Sequence, residues 1–138
     1  MTEPTQFEPP APARLVADYV STMVNSPASA GVALDPDWKL GGPPCLVVFD
    51  DGGTYVWPIC LDTRLRVTVW ASTRTTARGM AAWATGLLMG HSIPGIAKLD
   101  DPSGILDSVD SKNGGNMASF TIGARARLIP VTHAPYVP

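Results

Sequence analysis

The sequence predicts an α+β domain, a mostly antiparallel sheet of four to six strands packed with two helices, and three observations carry that prediction. Arg64–Ser72 alternates strictly, with Leu65, Val67, Val69 and Ala71 on one side and Arg64, Arg66, Thr68, Trp70 and Ser72 on the other, the period of a half-buried strand. A helix from about Thr75 to Met89 follows, carrying Ala77, Met80, Ala81, Ala84, Leu87 and Leu88 on one face. Near the other end, Ala118, Phe120, Ile122, Ala124, Ala126 and Leu128 alternate with Met117, Ser119, Thr121, Gly123, Arg125 and Arg127. That is the longest predicted strand, and its polar side carries two arginines. At 138 residues and 45% hydrophobic, the chain is the size of a single domain able to bury a real core.

Residues 1–12 hold four prolines and little apolar content, so 1–11 reads as a flexible arm. The first helix starts near Pro12-Ala13, where proline fits the first turn, and lines up Leu15, Val16, Tyr19, Val20, Met23 and Val24. Pro27 stops it after about a dozen residues. Gly31–Leu34 is a short strand candidate, and Asp35–Trp38 opens a loop that closes at Gly41–Pro44. The apolar run Cys45–Phe49 suits a strand covered on both faces. Asp50-Asp51-Gly52-Gly53 reads as a turn, with Thr54–Leu61 returning and interrupted at Pro58, which lacks a ladder donor. Ser72 and Thr73 offer oxygens to the first amides of the second helix, and Gly90-His91 marks its end. Ile93–Leu99 is a further short strand, and Asp100–Asn116 is the most loop-like interior stretch. The domain spans 12–129, and 130–138, with Pro130, Pro135 and Pro138, reads as an extended arm.

A net charge of −2 argues against a domain that binds nucleic acid through phosphate neutralisation. The charge is uneven: no acid lies between Thr63 and Leu99, while Arg64, Arg66, Arg74, Arg78 and Lys98 do. Such a stretch is either a solvated face or one that meets an acidic partner. Met1-Thr2-Glu3-Pro4 lacks the basic region and apolar run of a signal peptide, and no stretch has the length of a membrane span. Cys45 and Cys60 lie in apolar runs and read as buried free thiols, a disulfide across neighbouring strands being the geometric alternative. His91 and His133 sit in no nucleophile motif, and the pairs Asp50-Asp51 and Asp100-Asp101 lie beside glycine or proline as turn formers do. The glycine pairs Gly52-Gly53 and Gly114-Gly115 lack the Lys-Ser/Thr of a phosphate loop. No catalytic, cofactor-binding or metal-binding residue is expected, and the chain reads as a non-enzyme. Trp70 shares its side with Arg64 and Arg66, so it is either covered by the first helix or an anchor in a subunit contact, and Trp83 poses the same question.

The N-terminal helix, the turn-rich hairpin, the strand Arg64–Ala71, the helix stretch Thr76–Ala84 and the final strand ending Ala124-Arg125-Ala126-Arg127 together resemble small tail terminator proteins of long-tailed, siphovirus-type bacteriophages. The resemblance covers about Pro12 to Leu128 and is one of layout, and the Ala-, Pro- and Arg-rich texture is similar to that of actinobacterial phage proteins. It implies a virion subunit at the tail–neck junction, assembled in the host cytoplasm as a hexameric ring. The ring would cap the tail tube, stop its polymerisation and join the tail to the head–tail connector protein. Its partners would be itself, the tube protein and the connector, with DNA only as cargo passing through the lumen, and with no membrane. Two alternatives stand beside this reading: another connector or stopper protein of the neck, and a small cytoplasmic enzyme or ligand-binding domain with a pocket at Cys45, Cys60 or His91. In the ring, Arg64, Arg66, Trp70, Arg125 and Arg127 would form a subunit interface or line the lumen, and Asp100, Asp101, Asp107 and Asp110 would form an interface loop.

Overall fold

The two alternating stretches become the two central strands. In the computed structural model, which describes residues 5–138, β4 (Cys60–Ala71) and β7 (Asn116–Arg127) pair antiparallel over their whole lengths, from Cys60 opposite Arg127 to Ala71 opposite Asn116. The other elements are β1 (Thr5–Glu8), α1 (Pro12–Met23), β2 (Ser29–Gly31), β3 (Cys45–Val56), α2 (Arg74–Gly90), β5 (Ile96–Asp100), β6 (Leu106–Val109) and β8 (Ile129–Thr132). The main sheet has the order β2-β3-β4-β7-β5, with β6 also on β7, and all its pairings are antiparallel except β2 with β3. The fold is α+β.

Both helices lie on one face of the sheet. Leu65, Val67 and Val69 of β4, Phe120 and Ile122 of β7, and Leu46 and Val48 of β3 meet Val16 and Val20 of α1 and Ala77, Ala81, Ala84 and Leu88 of α2 in one core. Three alanines along the buried stripe of α2 let its backbone lie close to the sheet, so that Phe120 fills the space between. Thr73 caps α2, its hydroxyl accepting from the Thr76 amide at 3.2 Å, whereas α1 relies on Pro12 in its first turn.

Several sequence expectations change. The turn expected at Asp50-Asp51-Gly52-Gly53 is a β-bulge inside one continuous strand: the register shifts between Asp50 and Gly53, and the hairpin turns instead at Trp57-Pro58-Ile59. Asp50 holds the bulge, accepting from the Gly52 amide at 2.8 Å and the Thr63 hydroxyl at 2.6 Å. Gly53 has to be glycine because a Cβ there would run into the Asp62 carbonyl. Pro58, lacking a ladder donor, sits in the turn. The short strand expected at Gly31–Leu34 falls two residues earlier, and part of the loop expected at Asp100–Asn116 is β6. Both arms are also shorter than expected: β1 and β8 pair antiparallel as a two-stranded ribbon, and His133 Nδ1 lies 3.0 Å from Gln6 Oε1. The first four residues of the N-terminal arm lie outside the described residues.

Candidate functional site

Period-two alternation sends the even-numbered residues of β4 and the odd-numbered residues of β7 to the face opposite the helices. Their register builds a ladder of cross-strand pairs. Asp62 faces Arg125, whose guanidinium grips both carboxylate oxygens at 2.7 and 3.3 Å. Arg64 faces Gly123 and donates to the Thr121 hydroxyl and to Asp101, at 3.2 Å to its carboxylate and 2.7 Å to its backbone carbonyl. The missing side chain at 123 leaves this space open, because a Cβ there would stand 2.7 Å from an Asp100 carboxylate oxygen. Arg66 lies 4.6 Å over the Phe49 ring and 3.5 Å from Asp51. Thr68 and Ser119 share a hydroxyl contact of 2.8 Å.

The ladder ends at Trp70, and here the expectations need correcting. Trp70 is only 6% exposed, so it is no exposed subunit anchor, and its cover is not the first helix, which packs on the opposite face. The segment between β2 and β3 lays Trp38 beside it, in a second small cluster with Cys45 and Val47. Trp38 is fixed by its own Nε1–H on the Pro43 carbonyl at 2.7 Å, and Gly115 makes room for its ring, since a Cβ at 115 would come within 2.5 Å. Ser72 ties this segment down by accepting from the Gly41 amide at 2.9 Å, and Leu40 donates to the Asn113 carbonyl. Trp70 uses its own Nε1–H on Asp110, at 3.0 Å.

The four acids expected to form one interface loop are distributed instead. Asp100 pairs with Lys98 and Asp101 with Arg64, Asp107 is held between Arg74 and Arg78, and Asp110 takes Trp70 while capping its own turn through the Lys112 amide. Arg64, Arg66 and Arg125 therefore have acidic partners within the chain. Among the described residues Arg127, which is exposed, has no acidic partner. A cleft of about 230 Å³ between Asp62, Lys98, Asp100 and Arg125 carries both signs of charge.

These pairs set an acid limit. The Arg78 hydrogen bond, helped by Arg74, holds Asp107 below the usual carboxylate range. Arg125 does the same for Asp62, while the Lys112 amide and then Trp70 do so for Asp110. A carboxylate whose folded pKa lies below its unfolded value near 3.9 contributes stability that is complete above about pH 5 and declines as the pH falls through the folded value. Thermal melts are expected to be flat from neutrality to about pH 5 and to fall below it. The triple variant Asp62→Asn, Asp107→Asn, Asp110→Asn should flatten that acid limb, and an unchanged limb would rule out these pairs as its source.

One surface was missed by the sequence reading. At the β3–β4 turn, Tyr55, Val56, Trp57 and Ile59 stand about half exposed or more, Trp57 at 55% and Ile59 at 67%, with Ile129 beside them. Tyr55 and Trp57 pack edge to face at 5.7 Å, and the Ile59 carbonyl accepts from the Leu128 amide, drawing β8 to the tip. Once the turn is placed at Pro58 rather than at the glycines, the aromatics on either side of it become a hairpin tip. Among the described residues no group of three or more His, Cys, Asp or Glu is placed to hold a metal ion, and no helix is long and apolar enough to cross a membrane. Cys45 and Cys60 are free and buried, and His91, at the end of α2, has Nδ1 3.0 Å from the Leu87 carbonyl. No protein-family model matches the chain, and no curated protein matches it in sequence.

Proposed function

We propose that the chain is a structural subunit of a long-tailed bacteriophage, a tail terminator. In this reading it assembles into a hexameric ring at the tail–neck junction, caps the tail tube, halts tube growth and joins the tail to the head connector. The observation that supports a contact-making role is the exposed apolar tip of the β3–β4 hairpin, where Tyr55, Val56, Trp57 and Ile59 stand together at the surface and could be covered by a partner. The layout resemblance supplies the tail terminator identity. Subunits of a closed ring meet through two different patches, and a protruding hairpin can serve as one of them. The ion pairs on the sheet face orient its arginines within the subunit and, being exposed and screened by solvent, add little to its stability. Of the four arginines on this face, Arg127 is the one without an ion pair among the described residues, and it is available to a partner or to DNA in the lumen.

The test is co-sedimentation of the full chain with polymerised tail tube protein and, separately, with the portal-side connector. Binding at tube ends that shortens the tubes is the expected result. Binding to the connector alone would make the chain a stopper of the neck instead, and binding to neither would remove the phage reading. Arg127→Glu breaks no ion pair among the described residues, so it is expected to change stability by less than about 0.5 kcal/mol while weakening tail joining. Normal joining by that variant would take Arg127 out of the account.

A further inference from the structure

We propose that the hairpin tip of one copy docks into the groove between α1 and α2 of the next copy; the inference rests on the ring-forming reading above and names its interface. The groove is a hollow of about 300 Å³ lined by Met23, Val24, Asn25, Ala28, Met80 and Trp83, at the end of α1 and along α2. Met23 and Trp83 stand 49% and 39% exposed. Flexible methionines shape themselves to an incoming aromatic ring and make favourable sulfur–ring contacts. The tip offers such rings in Tyr55 and Trp57.

A chain cannot fill its own groove. The tip is at the Cys60 end of β4, whereas α2 begins just beyond the Ala71 end, with Met80 in its second turn and Trp83 in its third. Tip and groove therefore sit toward opposite ends of the subunit, the arrangement of a heterologous contact, in which each copy gives one patch and receives another.

Area decides between a pair and a ring. An aromatic side chain buries about 150–250 Å² in all, so a half-exposed tip of five apolar residues offers roughly 400 Å², about half of the ~800 Å² per partner in a standard stable interface. A single tip-in-groove contact is too small to hold a dimer. In a closed ring every copy makes the contact twice, and closure turns the last association into an intramolecular one. Assembly should therefore be steeply dependent on concentration, with few dimers.

The experiment mixes two full-length single variants, Ile59→Cys and Met23→Cys, with a short bismaleimide, one variant carrying a mass tag. Both positions are exposed, so folding is preserved, and the buried Cys45 and Cys60 give the wild-type background. Cross-links between the two variants, and none within either alone, are expected. Trp57→Ser should weaken association roughly tenfold or more without lowering the melting temperature. Ile59→Cys linking to itself would make the tip an isologous contact and overturn the proposal. So would cross-links absent at concentrations where the wild type is oligomeric, which would leave the ring with a different interface. A wild type of one-chain mass under every condition, tail tube protein included, would also overturn it, and would remove the ring with it.

Discussion

Phe120→Ala is expected to lower the unfolding free energy by about 3–5 kcal/mol, the largest effect of any single substitution considered. Phe120 is the largest fully buried side chain, at the centre of β7 opposite Val67 and beneath the alanine stripe of α2. Its removal deletes apolar contact and leaves a cavity that collapses little, because β7 is paired with β4 along its whole length and α2 already lies close to the sheet. Urea denaturation should show a lower midpoint with an unchanged slope. A loss below about 1 kcal/mol would mean that the helix layer is not packed on this strand as described.

Trp38→Ala is expected to cost about 3 kcal/mol and, unlike the core change, to alter chemistry on only one face. Trp38 closes the second cluster over Cys45, Val47 and Trp70, and its segment has few apolar anchors besides this ring. Without it the cover should loosen while the helix-side core persists. Cys45 should then react readily with a thiol reagent, whereas Cys60, at the other end of the sheet, stays slow. Equal reaction of both thiols would point to general loosening of the fold, and no change at Cys45 would show that Trp38 is not its cover.

The parts of the fold legible in the sequence were those with a single dominant period. Leu65, Val67 and Val69 against Arg64, Arg66 and Thr68 left one orientation for β4, and Ala77, Ala81, Ala84 and Leu88 left one for α2. Placement of Arg64, Arg66, Arg125 and Arg127 on one face followed from the same period. What failed was non-local. Asp50-Asp51-Gly52-Gly53 has the composition of a turn, yet Thr63 and Asp62 from the facing strand make it a bulge. β6 carries only Leu106 and Val109 as apolar residues, both exposed, so its strand exists because β7 offers an edge. The partners of Trp70 came from residues 32 and 40 positions away, Trp38 and Asp110, and no local pattern encodes them. Nor does a charge pattern reveal that Asp107 sits between Arg74 and Arg78 of its own chain.

The central claim is that this chain assembles with itself into a closed ring. Light scattering after size exclusion, over a wide range of protein and salt concentrations and with tail tube protein added at the end, tests it most directly. The account expects a discrete mass near that of a hexamer, reached steeply with concentration or on addition of the tube. A mass of one chain under every condition, tube included, would contradict it.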